Sequence, residues 1–394
     1  MVVGPNRKGL TVDFALSHEQ QALQQVARRF VERECPPARA KEWDEQDAYP
    51  EELFKSMAHM GWFGLPFPAE WGGDDGGIVE MVLLAEQLGR ASLDVAMCYI
   101  GTLIPALTVF RWGTDEHREH IRSTILTAQG RYAVAISEAD SGSDAAALRT
   151  SAVDNGDHYV VNGQKMWCTG AALPGTTIMT YVRTAPGGSK HHGLSLLLID
   201  ADAEGVEIRR TPTLARHILG TTAVFFTDVV VPKSRLVGER DQAWAVMLSN
   251  LELERVLMSG GYVGAAQSTL DEALAYSKQR TAFGRRIGEF QALAHGMADL
   301  QVDVDSARLL AYRAAWMLSQ GHSVSREGAM AKLKGSETYV AAARLGMQIC
   351  AGHGFSTESV MSFRWRESIV APISGGTSQI QRNGIARSMG LRAY

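Results

Sequence analysis

The chain has few cysteines for its 394 residues. Cys35, Cys98, Cys168 and Cys350 form no CxxC pair and have no ligand-like spacing. That argues against a disulfide framework or a metal site, and makes a reducing cytoplasm the expected compartment. No block of five or more like charges occurs, and 39 Lys and Arg against 43 Asp and Glu leave a net charge of −4. A basic footprint for nucleic acid or an anionic membrane is therefore missing. No uncharged apolar run reaches the ~18–20 residues that span a bilayer, and the opening MVVGPNRKGLTVDF lacks a signal-peptide core, so neither membrane insertion nor secretion is expected. No GxGxxG stands at a strand-to-helix turn and no GxxxxGK[ST] is present, which argues against a nicotinamide-binding Rossmann unit and a P-loop. What remains is a globular composition, 45% hydrophobic and 21% charged, with 39 glycines whose positions prove informative.

Periodicity divides the chain into three. In residues 1–130 apolar residues recur at helical spacing: Ser17-His18-Glu19-Gln20 is a capping-box pattern, and Leu23, Val26, Ala27 and Phe30 share a face until Pro36-Pro37. Glu51–Met60 and Glu80–Leu88 read as further helices. Residues 131–232 change to period two with β-branched clusters, predicting a mostly antiparallel β-sheet or β-barrel domain in which Asn162-Gly163 marks a hairpin turn. Residues 233–394 return to long helices, roughly Ala243–Gln279, Gln291–Gln320 and Arg326–Ala351, suited to a bundle. The expected class is α+β, in the order helical, β, helical.

Four clusters could carry chemistry. Ser137-Glu138-Ala139-Asp140-Ser141-Gly142-Ser143-Asp144 reads either as an acidic turn or as a loop whose small residues admit a ring or phosphate to the main chain. Strand alternation puts Trp167 and Thr169 of Lys165-Met166-Trp167-Cys168-Thr169 on one face, either an aromatic wall beside a hydroxyl or a core Trp with a satisfied Thr. Arg280-Thr281-Ala282-Phe283-Gly284-Arg285-Arg286 joins two long helices and reads as a solvated basic loop or a diphosphate and adenine contact. Gln348–Phe355 and Ser374-Gly375-Gly376-Thr377-Ser378-Gln379-Ile380-Gln381-Arg382 are glycine-rich, and Gly375-Gly376 puts free N–H groups before a helix start, where a carbonyl oxygen or anion would be welcome.

Taken in order, these runs resemble the acyl-CoA dehydrogenase family over nearly the whole chain: SEADSGSD its flavin loop, KMWCTG its strand motif, RTAFGRRIGEFQ its adenosine-diphosphate segment and SGGTSQIQR its C-terminal signature. The resemblance implies one FAD per subunit and a homotetramer or homodimer. It implies that Ser137, Trp167 and Thr169 flank the flavin ring and that Thr377 and Gln379 touch FAD. Arg280, Phe283 and Gln291 would meet the FAD of a neighbouring subunit, together with the stretch from Gln348 to Gly352. Ser143, Glu252, Arg255, Gly375 and Gly376 are the expected substrate contacts, the Gly375 N–H sharing the thioester oxygen with a flavin hydroxyl. Acyl-CoA is the implied substrate and an electron-transferring flavoprotein the implied acceptor. An acyl-CoA oxidase, a carrier-protein-linked dehydrogenase and a non-catalytic flavin-binding subunit are the alternatives.

One departure matters. Many members carry the catalytic Glu in a Tyr-Glu-Gly-Thr run, where this chain has Ser374-Gly375-Gly376-Thr377. Leu251-Glu252-Leu253-Glu254-Arg255 resembles the helix that carries the base in isovaleryl-CoA dehydrogenase and long-chain members, with the match on Glu254. Glu252 and Glu254 stand ~200° apart on a helix, and Glu254 groups with Leu257, Met258 and Gly261. Glu254 is the expected base, and the adjacent Gly260-Gly261 predicts a close packing partner.

Overall fold

The computed structural model describes residues 15–185 and 190–392. The stretch read for a signal peptide lies outside them. The Ser17 capping box forms as expected, with Gln20 N–H donating to Ser17 Oγ at 3.2 Å and Ser17 N–H to Gln20 Oε1 at 3.0 Å. It starts α1 (His18–Glu34), followed by α2 (Pro37–Glu45), α3 (Glu51–His59), α4 (Ile78–Ala91), α5 (Leu93–Trp112) and α6 (Asp115–His120). α5 is long and apolar enough, by length and composition, to cross a membrane, but most of it is buried as a core helix.

A sheet follows: β1 (Arg131–Ala135), β2 (Ser151–Asp154), β3 (His158–Thr169), β4 (Thr176–Arg183), β5 (Leu194–Asp200), β6 (Val206–Arg210), β7 (Thr221–Pro232) and β8 (Leu236–Val237). The strand order is β6-β7-β3-β2-β4-β5-β8, with β1 also on β4. Most pairs are antiparallel as expected, but β1 and β2 both run parallel to β4, so the sheet is mixed. They lie end to end along β4, Ala135 opposite Thr180 and Ser151 opposite Arg183, and residues 136–150 loop out between them.

The expected hairpin at Asn162-Gly163 does not form. β3 continues through it, and the glycine sits at a bulge against β7 with φ of 143°. Two causes hold it straight: Asn162 exchanges two 2.9 Å hydrogen bonds with Asp228 across the strands, and a Cβ at residue 163 would lie 2.7 Å from Thr150 Cα. The turn lies instead at another Asn-Gly pair, Asn155-Gly156, where Asn155 N–H donates to His158 O at 2.9 Å.

The last part is α7 (Ala243–Gln279), a small hairpin of β9 (Thr281–Ala282) and β10 (Arg285–Arg286), then α8 (Gln291–Ser319), α9 (Ser325–Phe355), α10 (Val360–Ser368) and α11 (Ser378–Ser388). α9 breaks near its end at Ala351, with φ of 49° and ψ of −129°. The partner predicted by Gly260-Gly261 is α4. A Cβ at Gly260 would come 2.6 Å from Val82 O, one at Gly264 1.8 Å from Glu86 O, and one at Gly89 2.3 Å from Gly261 O. The two backbones therefore touch, which fixes the height of α7 against the N-terminal helices.

Candidate active site

Glu254 lies in the first half of α7 and Gly375 in the loop between α10 and α11, yet they meet. A Cβ built on Gly375 would stand 3.0 Å from Glu254 Oε1, and it would touch nothing else but Cδ of the same side chain. Gly375 and Gly376 have φ of 62° and 85°, so the loop turns through two left-handed residues that glycine adopts without steric cost. Among the described residues, the Gly375 N–H has no acceptor and the Glu254 carboxylate accepts no hydrogen bond.

The loop is pinned from behind. Lys332, buried on α9, donates to Ala371 O at 3.0 Å and Gly376 O at 2.9 Å, and Gln381 Nε2 donates to Gly375 O at 3.1 Å and Gly376 O at 2.9 Å. Thr377 caps α11, accepting from Ile380 N–H at 3.2 Å, and Gln379 next to it is exposed. Burial lowers the Lys332 pKa to about 8, with the Glu254 charge opposing. Burial raises the Glu254 pKa, against the pull of Arg255, Lys332 and Arg216. Arg255 Nε is sealed from solvent without a hydrogen-bond partner, and burial lowers this guanidinium's pKa. Glu252 faces elsewhere and accepts from Ser323 Oγ at 3.2 Å.

A carboxylate with a raised pKa makes a better proton acceptor at neutral pH and is lost as a base on acidification. A reaction in which Glu254 takes up a proton, followed against pH, is therefore expected to fall through an apparent pKa above the ~4.3 of an ordinary Glu. A rate that stays flat to below that value would contradict this reading of Glu254.

A second group of residues lies on the sheet. The loop 137–144 folds back on itself through Glu138 N–H to Ser141 O at 2.8 Å, and Met166 N–H donates to Ser137 O at 2.8 Å, which ties the loop to β3. Trp167 stands at a bulge with φ of 64° and is 57% exposed, so its ring is held out of the core. Past the bulge, which interrupts the simple alternation expected of this strand, Cys168 is buried and Thr169 half-buried. Ser143 is exposed.

Sequence reading missed the keystone of this region. Lys165, fully buried, donates to Glu138 Oε1 at 2.8 Å and Ile136 O at 3.1 Å. Glu138 also accepts from Arg149 N–H at 2.7 Å, Thr150 N–H at 2.9 Å and Thr150 Oγ1 at 2.6 Å. Burial disfavours the Glu138 charge, but Lys165 and Thr150 outweigh it and hold the carboxyl below its usual range. The clue was available: Lys165 shares strand parity with Tyr159 and Val161, both core residues.

A third group is remote from the first. Phe283 and Gly284 turn the β9–β10 hairpin with φ of 52° and 77°, leaving Phe283 96% exposed. Arg280, Gln291, Gln348 and Gly352 are exposed too. Tyr276 of α7 stacks on His353 with centroids 5.5 Å apart, bringing the Gln348–Gly352 stretch to the same end of the bundle. From Glu254 to the end of α7 is about 37 Å of helix at 1.5 Å per residue, so this end of the bundle stands far from the Glu254 site of its own chain.

The N-terminal, middle and C-terminal domains of acyl-CoA dehydrogenases match residues 17–129, 133–229 and 241–390. The chain belongs to the acyl-CoA dehydrogenase family. It is an FAD-dependent oxidoreductase acting on acyl-CoA thioesters. The probable acyl-CoA dehydrogenase YngJ of Bacillus subtilis is 32% identical, over 96% of this chain and all of its own. The glutaryl-coenzyme A dehydrogenase glutaryl-CoA complex aligns with a TM-score of 0.92 and 30% identity, covering 97% of this acyl-CoA dehydrogenase and 98% of that chain. The FAD complex of PigA aligns with a TM-score of 0.91 and 27% identity, covering 97% and 100%.

Proposed function

We propose that this acyl-CoA dehydrogenase uses Glu254 as the base for α,β-dehydrogenation, as in members with the base on the earlier helix, of which isovaleryl-CoA dehydrogenase is one. The observation that carries the reading is the 3.0 Å approach of Glu254 Oε1 to the point where a side chain at residue 375 would begin. One carboxylate thus stands where the other would reach. Glu254 removes the α proton, and the free Gly375 N–H donates to the thioester oxygen as negative charge develops there. Lys332 and Gln381 keep that N–H in place by holding the carbonyls of the same loop.

FAD supplies the hydride acceptor for the β carbon. The residues suit it: Trp167 offers an exposed aromatic face beside Thr169, and the small residues of the 137–144 loop leave the main chain accessible. Arg280, Phe283, Gln291, Gln348 and Gly352, far from their own Glu254, serve the cofactor of a second copy. Exposed Val302, Leu309 and Trp316, at seven-residue spacing on α8, add an apolar stripe that suits assembly into a homodimer or homotetramer. An electron-transferring flavoprotein is the acceptor we infer, and four buried, unbridged cysteines suit a reducing cytoplasm. The domain limits that go with this reading are 1–130, 131–232 and 233–394.

The test moves the base. Glu254→Gly combined with Gly375→Glu empties the position of the first carboxylate and starts the second from the neighbouring backbone. Left-handed backbone costs a non-glycine residue about 1–2 kcal/mol, so anaerobic bleaching of bound flavin by acyl-CoA is expected to recover partly over Glu254→Gly alone. A double variant that is folded and FAD-bound but no faster than the single one would refute the convergence.

A further inference from the structure

Arg216 is an unusual residue for its position. It lies in the loop between β6 and β7 with a left-handed φ of 73°, a conformation that non-glycine side chains rarely adopt. Its buried guanidinium donates through Nη1 to Asp94 Oδ1 at 3.0 Å. Among the described residues, Nε and Nη2 have no acceptor. Asp94 Oδ2 is sealed from solvent and unpartnered.

α7 places this pair relative to the base. Glu254, Met258 and Tyr262 follow one another at four-residue steps, so Tyr262 lies two turns, about 12 Å, beyond the base along one side of the helix. Its buried ring ends beside Ser374, and the Arg216 charge acts on both Tyr262 and Glu254. A Cβ at Gly261 would touch Leu93 at 3.4 Å and Ala96 at 3.5 Å, so the start of α5, where Asp94 sits, packs next to Tyr262. On the sheet side, Tyr181 is buried with no partner for its hydroxyl, close enough to Glu254 to feel its charge.

We propose that Arg216, oriented by Asp94, forms with Tyr262 and Tyr181 a polar subsite at the far end of the acyl site. It takes a short acyl thioester that carries an oxygen acceptor, carboxylate or hydroxyl, away from the thioester. This rests on Glu254 marking the α carbon. A plain hydrocarbon tail would leave Arg216 Nε and Nη2 and the Tyr181 hydroxyl buried without acceptors, which is costly for desolvated donors. An acceptor on the substrate satisfies the open donors, and the bulk of Tyr262 limits the chain length. If the Asp94–Arg216 pair only clamped the β6–β7 loop to α5, the remaining guanidinium nitrogens and the Tyr181 hydroxyl would have no assigned partners.

The experiment is anaerobic titration of the FAD-bound protein with glutaryl-CoA, 4-hydroxybutyryl-CoA, pentanoyl-CoA and octanoyl-CoA, reading bleaching rate over apparent dissociation constant. One or both oxygenated esters are expected to exceed pentanoyl-CoA by at least tenfold, and octanoyl-CoA to be the poorest. Comparing glutaryl-CoA with 4-hydroxybutyryl-CoA separates a carboxylate from a hydroxyl. Arg216→Met alone strands the buried Asp94, so Asp94→Asn/Arg216→Met is the informative variant. In it the preference is expected to fall by an order of magnitude or more. Bleaching by pentanoyl-CoA at least as good as by either oxygenated ester, or a preference that survives in the double variant, overturns the subsite while leaving the dehydrogenase reading intact. No bleaching by any of the four overturns both.

Discussion

Glu254→Gln is expected to bind FAD with an unchanged visible spectrum and to lose flavin reduction by acyl-CoA by about 10²–10⁴-fold, the range over which a positioned general base contributes. The amide preserves the size of the side chain, so the Gly375 loop has no reason to move. It cannot accept the α proton, and the described residues place no other carboxylate against Gly375, where the only close atoms belong to Glu254. Stopped-flow bleaching at saturating substrate separates this loss from weakened binding. A variant that reduces within a few-fold of the parent would remove Glu254 from the chemistry and return attention to the non-catalytic alternative.

Lys165→Met is expected to be the most damaging single change in the sheet. Lys165 is fully buried and Glu138 nearly so, and removing one partner strands a charge in a low-dielectric interior at a cost of about 3–5 kcal/mol. The loop 137–144 is held by that carboxylate from one side and by the Met166–Ser137 bond from the other. The variant should therefore unfold at lower urea and lose flavin absorbance on purification. Lys165→Met/Glu138→Gln removes both charges and should regain much of the stability. Because Glu138 is held below the usual range, its contribution is present above the unfolded pKa of ~4.3 and is lost as pH falls through the lower folded value. Equal urea midpoints for parent and Lys165→Met would show that the pair contributes nothing net.

The order of domains was legible because each part has its own periodicity, and the long helices were readable almost to the residue. Gln279 ends α7 and Gln291 begins α8, where Arg280 and glycine-bearing residues interrupt the pattern. The Asn162-Gly163 error has a definite cause. Local turn chemistry was outweighed by two hydrogen bonds to Asp228, a residue 66 positions away that no local window contains. At the site, the missing carboxylate at Gly375 turned the reading to Glu254, but the contact between the two positions exists only once α7 and the α10–α11 loop are packed. Arg216 and Asp94 gave no local signal at all: 122 residues separate them, and each alone reads as an ordinary surface charge.

The contact between Glu254 and residue 375 also constrains history. A glutamate at 375 would begin 3.0 Å from Glu254 Oε1, so with both in place the Glu254 side chain would have to shift. A lineage moving its base from one helix to the other could not pass through an enzyme with both in place and undisturbed. It had to cross either a crowded intermediate with two like charges sharing one proton or an inactive one with none. On the proposed reading, glutamate at 254 should be inherited with a residue at 375 that carries no carboxylate, and loss of both carboxylates would mark a sequence that has abandoned the reaction.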